Sequence, residues 1–257
     1  FKWDVFPGNT AEVKTLKTNI NACKTLFKLS GANVKLVFDR GIISDDNAQL
    51  IKDAKMKYIS ALDRNQLAGC GIDLDPFKKI STDDVAPKPD GFKKYDDQLY
   101  FHDHGVIDDK RFIVGFNPTL FVEDRKNRKE KIDFFEVYLK NENKALKNAQ
   151  RDRKRLATEG RVLNELKRLK IKKYYEDPVL YPLVVKKQLK NGTVKSVESF
   201  RVQVNKKADI IAADKLLDGV CVFITNHIER QGRGFKISPS KVIGAYRNKT
   251  KIEDVFK

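Results

Sequence analysis

Two acidic residues, far apart in the chain, stand where phosphodiester chemistry would need them. The first is Asp39, within Phe38-Asp39-Arg40-Gly41. The apolar run Val34-Lys35-Leu36-Val37-Phe38 reads as a short buried strand that delivers Asp39 at its C-terminal end. Gly41 frees the turn after it, and Ser44 caps the helix that follows. The second is Glu253. Val242, Tyr246, Lys249, Glu253 and Phe256 fall at i, i+4, i+7, i+11 and i+14, so all five share one helical stripe. Ser238-Pro239 reads as the start of that helix, a hydroxyl cap followed by proline at the first helical position. A carboxylate at a strand end and another on a helix face offer hard oxygen ligands on rigid elements, which is what a two-Mg²⁺ phosphodiester-cleaving site requires. Taken singly, each has a plainer reading. An aspartate ending a strand is often a cap or turn residue, and a helical glutamate is usually solvated.

The elements that would position these residues are also legible. Residues 1–66 alternate strand and helix. Phe1-Lys2-Trp3-Asp4-Val5 alternates apolar and polar as a strand with one exposed face does, and Trp3 reads as a core residue. Thr10 caps an amphipathic helix reaching about Ser30, with Val13, Leu16, Ile20, Cys23, Leu26 and Phe27 on its inner stripe. Residues 34–38 read as the central strand, 45–55 as a helix and 58–62 as a further strand. Residues 67–212 read as an insertion. Its loop-like start carries Asp75-Pro76 and Ala86-Pro87-Lys88-Pro89-Asp90-Gly91, and two strands follow near 99–104 and 111–116. Two helices are expected over 119–170, with Ile132, Phe135 and Leu139 on one and Leu163, Leu166 and Leu169 on the other. Asn191-Gly192, between strand-like 180–189 and 194–204, signals a type I′ hairpin. Residues 213–257 return to the core with a strand at 220–225, ended by Thr225-Asn226, and then the glutamate-bearing helix.

With 52 Lys and Arg against 35 Asp and Glu, the net charge is +17, which points to a polyanionic partner, nucleic acid first. Arg151, Arg153, Lys154 and Arg155, then Lys167, Arg168, Lys170, Lys172 and Lys173, concentrate on or beside the second insertion helix, and Tyr174 and Tyr175 follow them. This cluster is either a surface that tracks a DNA backbone or a solvated helix face. A hydrophobic content of 40% over 257 residues is ample for a core, in one large domain or two smaller ones. No apolar run is long enough to span a bilayer and no signal peptide is visible, so the expectation is a soluble, cytoplasmic, nucleoid-associated protein with no membrane partner. Cys23, Cys70 and Cys221 have no paired spacing and read as reduced, partly buried thiols. In His102-Asp103-His104 two imidazoles share a strand face and could bind a transition metal. No third or fourth ligand is near, so an ordinary hairpin is the expectation.

The ordered set Gly8-Asn9-Thr10, Asp39-Arg40-Gly41, Asp218-Gly219 with Thr225-Asn226, and Tyr246-x2-Lys249-x3-Glu253 resembles the DDE transposases of bacterial and archaeal insertion sequences, in the subgroup called after insertion sequence four. The resemblance covers nearly the whole chain, from about Val5. It implies an α/β, ribonuclease-H-like core, incomplete at its N-terminus and interrupted by a large α+β insertion: core at 1–66 and 213–257, insertion at 67–212. Asp39 matches the family's second catalytic acid and Glu253 the third, and Tyr246 opens the family's signature around that glutamate. Lys249 stands where arginine is usual, exchanging a planar fork for a point charge on phosphate. The signature's closing lysine would fall beyond Lys257, and Ile42 and Ile43 stand where an aromatic often follows the aspartate turn. The family's first aspartate precedes the Gly-Asn-Thr motif by several strands, and Asp4 comes too late to be that residue. The expectation is therefore a fragment, a core without its first acid, without an N-terminal end-recognition domain and without its C-terminal helix. A native truncated or decayed copy fits equally.

The resemblance also implies a mechanism. Phosphoryl transfer would proceed without a covalent enzyme intermediate, with two Mg²⁺ ions (Mn²⁺ as substitute) at Asp39 and Glu253 activating a water and then a 3′-hydroxyl. Tyr246 and Lys249 would hold the flanking phosphate, and Arg151, Arg153, Arg155, Lys167 and Arg168 would contact double-stranded DNA, both transposon ends and target. A homodimer on DNA is the family expectation. With two of three acids, the fragment alone is expected to be inactive. The alternative is a catalytically dead, transposase-derived DNA-binding protein, which keeps charge and fold and needs neither acid. A generic basic RNA-binding protein fits the charge but not the ordered motifs. The enzymatic reading requires that folding bring Asp39 and Glu253 to one place.

Overall fold

A computed structural model describes residues 12–27, 35–39, 43–67, 70–72, 89–189 and 192–254, the side chains at 12–13, 23–24, 26–27, 64–65 and 250–254 excepted. The expected strand at 1–5, Gly8-Asn9-Thr10, Arg40 to Ile42, the 75–76 and 86–88 loop stretches, Asn191 and Phe256 lie outside the described residues. The helices are α1 (Glu12–Phe27), α2 (Asp45–Asp53), α3 (Arg64–Leu67), α4 (Pro118–Lys147), α5 (Arg155–Arg168), α6 (Ala208–Lys215) and α7 (Pro239–Asp254). The strands are β1 (Lys35–Val37), β2 (Lys57–Leu62), β3 (Lys93–Lys94), β4 (Tyr100–Ile107), β5 (Lys110–Phe116), β6 (Val179–Gln188), β7 (Val194–Gln203), β8 (Val220–Thr225), β9 (Arg230–Gln231) and β10 (Gly234–Phe235). They fall into two compact units, Phe1–Phe121 with Gly219–Lys257, and Val122–Asp218.

The first unit is built on a six-stranded mixed sheet in the order β1-β2-β8-β5-β4-β3. β1 and β2 run parallel, and the other neighbours are antiparallel. The runs of β2, β5 and β8 are buried nearly throughout, as strands covered on both faces must be. Val242 and Ile243 of α7 pack with Ile59, Ala61, Ile113 and Phe223 on one face. Leu62, Phe112 and Ile224 alternate to the other, where they share a cleft of about 670 Å³ with Asp45 and Ala48 of α2. Both helices start as their sequences predict. Ser44 Oγ accepts the Asn47 N–H at 3.2 Å, and Ser238 Oγ accepts that of Lys241 at 3.3 Å. In the first helix Leu16 and Ile20 of the expected inner stripe are buried.

Two expectations change here. Among the described residues β1 is the last strand of the sheet and half-buried, not its centre, because a short apolar run has the same composition at an edge as in the middle. The β4–β5 hairpin, expected inside an insertion from 67 to 212, lies in the sheet, with β5 pairing to β8 from Arg111↔Thr225 to Phe116↔Val220. The second unit accordingly starts at Val122 and ends at Asp218.

That second unit closes α4, α5 and the β6–β7 hairpin over Phe135, Leu146, Val162, Leu166, Ile171, Leu180 and Val202. Tyr174 and Tyr175 belong to this core, Tyr175 edge-on to Phe135 at 4.8 Å, and so are not accessory to the basic residues before them. Beside the β6–β7 turn, whose Asn191 lies outside the described residues, Gly192 has φ +82° and donates its N–H to Leu189 O at 2.9 Å, and Leu189 N–H reaches Thr193 O at 2.8 Å. A type I′ turn joins β4 and β5 at Asp108-Asp109, with φ +47° and +60° and no glycine to announce it. Among the described residues no helix is long and apolar enough to cross a membrane.

Candidate functional site

Asp39 leaves the C-terminal end of β1 with its main chain held from β2. Phe38 N–H donates to Ile59 O at 3.1 Å, and Ser60 Oγ donates to Asp39 O at 3.1 Å. Its side chain stays 57% exposed. Two side chains of α7, 207 residues away in the case of Tyr246, converge on that carboxylate. Lys249 Nζ stands 3.0 Å from Oδ2, and the Tyr246 hydroxyl donates to Oδ1 at 3.4 Å. The rotation of α7 that makes this possible is set on both flanks. Val242 and Ile243 are fully buried, the Tyr246 ring meets Phe223 edge-on at 5.4 Å, and Arg247 pairs with Asp96 while lying 5.3 Å over Tyr95. The burial of Val242 and Ile243 alone is worth about 1.5–3 kcal/mol each, far more than the exposed ion pair it orients.

The structure thus gathers Asp39, Tyr246 and Lys249. Glu253 lies on the same helix, one turn beyond Lys249 or about 6 Å along the axis, and its side chain is outside the described set. Among the described residues no three His, Cys, Asp or Glu side chains group as a metal site. Chemically, the arrangement offers the carboxylate oxygens of Asp39 for a hard cation, and a lysine ammonium with a phenol hydroxyl for phosphate oxygens.

Asp218, Gly219, Thr225 and Asn226 are architectural. Asp218 is buried and clamped by both guanidinium arms of Arg128, one at 2.9 Å, and by Arg125 Nε at 3.3 Å. Gly219 follows at φ +66°, where a Cβ would collide with the Asn117 carbonyl and Phe121, so only glycine fits. Thr225 Oγ1 donates to Tyr58 O at 2.5 Å, while Asn226 Oδ1 accepts the Tyr58 N–H at 2.8 Å and its Nδ2 donates to Met56 O at 3.0 Å. Together they tie the end of β8 to the start of β2. In His102-Asp103-His104 the aspartate is taken by Arg111 at 2.7 and 3.1 Å, His102 stacks on Phe92 at 5.6 Å, and a register shift between Asp103 and Gly105 breaks the alternation that would align the imidazoles. Arg111 itself, fully buried, is a residue the sequence offered no means to single out as buried. Cys70 and Cys221 are half-buried.

The basic residues of the second unit divide. Arg151, Arg155 and Lys167 are exposed. Arg168 is locked to Glu165 by two hydrogen bonds, at 2.9 and 2.6 Å, which hold the Glu165 carboxyl below its usual pKa. Arg153 is half-buried with its backbone N–H on Glu198 O at 2.9 Å. Compared with known proteins, the chain matches no family model, no curated protein and no solved structure.

Proposed function

We propose that the chain is the catalytic core of an insertion-sequence DDE transposase, a ribonuclease-H-like sheet with an added α+β unit, which cleaves and joins double-stranded DNA with divalent metal as a homodimer. The observation that carries this reading is the meeting of Asp39 with Tyr246 and Lys249 at an exposed strand end, with Glu253 one turn further along the same helix.

The donor chemistry fits Mg²⁺, or Mn²⁺ in its place. Asp39 presents hard oxygens from a pinned main chain, and a cation, the Lys249 ammonium, already stands at hydrogen-bond distance from it. Asp39 and Glu253 would hold the metal. When bound, it supplies Lewis-acid activation of the attacking oxygen and stabilisation of the leaving one. Lys249 and Tyr246 donate to the non-bridging oxygens of the flanking phosphate, which the lysine neutralises as it exchanges Asp39 for phosphate. Ser60 keeps the Asp39 backbone fixed during that exchange. One feature favours a second reading, a non-catalytic DNA-binding protein: Lys249 and Tyr246 satisfy Asp39 as they would in an ordinary ion pair.

Cleavage of a duplex carrying the element's ends in Mg²⁺, by the protein as its gene encodes it, separates the two. Asp39→Asn and Glu253→Gln should each lower cleavage by about a thousandfold while leaving duplex binding intact, the scale expected when a group acts in the transition state. Cleavage by Glu253→Gln equal to that of the unaltered protein would sink the assignment. Duplex binding with no cleavage in any form would favour the second reading.

A further inference from the structure

After β8 the chain makes the small hairpin β9–β10 before entering α7, with Gln231↔Gly234 and Arg230↔Phe235 in register. The Phe235 ring has the Arg111 guanidinium 3.8 Å from its centroid and the Arg230 guanidinium 3.9 Å from it. Two guanidiniums cannot share one face at that height, so the ring is sandwiched between them. Arg111 is neutralised and immobile: it is fully buried, bonded twice to Asp103, and donates to Ile237 O at 2.6 Å. Arg230 on the outer face is exposed and makes no ion pair among the described residues, and neither do exposed Arg233 and Lys236. Glu229, the acid next to Arg230, is turned to Lys57. Three uncompensated cations therefore occupy seven residues on a rigid platform, and an arginine already held flat loses little freedom when it binds.

The hairpin also has a fixed relation to Asp39 within the same unit. Lys57, the partner of Glu229, pairs with Lys35 across β1 and β2, and Asp39 lies four residues further along the chain. The hairpin therefore stands by the starting end of the β1–β2 pair, and Asp39 at the far end of β1. We propose that β9–β10 is a second contact to the DNA backbone, with Arg230, Arg233 and Lys236 on phosphates away from the one held at Asp39. This rests on the functional reading above, and adds a surface that reading does not need.

The test is the salt dependence of binding to a duplex of about 20 base pairs, followed by fluorescence anisotropy between about 50 and 200 mM KCl. Arg233→Ala, an exposed change at the turn, should lower the slope of log affinity against log salt by about one. The triple change of Arg230, Arg233 and Lys236 to alanine should lower it by about two to three. Unchanged slopes in both would overturn the hairpin contact and leave the Asp39 reading standing. Lowered slopes together with undiminished cleavage by Asp39→Asn would do the reverse, and failure to bind any duplex would overturn both. Tighter binding of an RNA duplex with the same slope changes would overturn the assignment to DNA.

Discussion

Asp39 and Asp218 are both aspartates held by cations, and their surroundings could hardly differ more. Asp39 sits at a strand end of the first unit, mostly exposed, and is met by the Lys249 ammonium and the Tyr246 hydroxyl, which long side chains can withdraw. Asp218 closes the second unit with no exposed surface, gripped by Arg128 and Arg125, while Tyr174 bridges Arg128 and Asp214 behind it. Burial works against the Arg128 charge, and the hydrogen bonds and charge of Asp218 outweigh it, so its pKa is raised. A carboxylate already committed on every side has nothing left for a ligand. An exposed one at a strand end can exchange its partner. Exposure and the mobility of the partner, more than the presence of an ion pair, separate chemistry from architecture here.

The largest effect expected from this contrast is on folding. Asp218→Asn takes the paired carboxylate from the buried Arg128 guanidinium and should destabilise the second unit by about 3–5 kcal/mol. Asp39→Asn breaks an exposed pair and should change stability by less than about 1 kcal/mol. Urea denaturation followed by circular dichroism measures both. Equal losses would dissolve the distinction between the two sites.

The part of this contrast visible in the sequence was the local part. The 3.6-residue spacing of Val242, Tyr246 and Lys249 and the Ser238-Pro239 start depend on neighbours a few positions away, so the stripe facing Asp39 could be read directly. Asp218 and Gly219 looked like functional motif residues because their partners, Arg128 at 90 residues' distance and the Asn117 carbonyl, are not local. The same holds for β5, whose place in the sheet depends on pairing with β8 a hundred residues on, and for Arg111, whose burial depends on Phe235 and Ile237. Non-local pairing decides these matters, and no periodicity reports it.

A titratable group buried in the first unit sharpens the contrast at intermediate size. Burial pushes His227 down to about 4; Glu229 opposes this, and Lys35, Lys57 and Arg111 reinforce it. Its folded value lies below the ordinary one near 6.5, so the unfolded chain takes up the proton first. The associated stability is fully present above about pH 6.5 and is lost as pH falls towards 4, to the extent of about 1–3 kcal/mol. His227→Gln should flatten that part of the stability profile relative to the unaltered protein. Parallel profiles would mean that the imidazole titrates freely.

The smallest effect concerns the basic helices. If commitment to a partner decides what a charge can do, the five arginines and lysines singled out in the second unit are not equivalent. Arg168 is spent on Glu165 and also lies 5.3 Å from the Phe134 ring, so Arg168→Ala should leave the salt slope of duplex binding within about 0.5 of its original value. Arg151, Arg155 and Lys167 are exposed, and their joint replacement by alanine should lower the slope by about two to three if this face meets DNA, and not at all if it is only solvated. A drop for Arg168→Ala as large as that for any one of the three would show that a surface pair yields to phosphate, and that burial, as at Asp218, is what truly commits a charge.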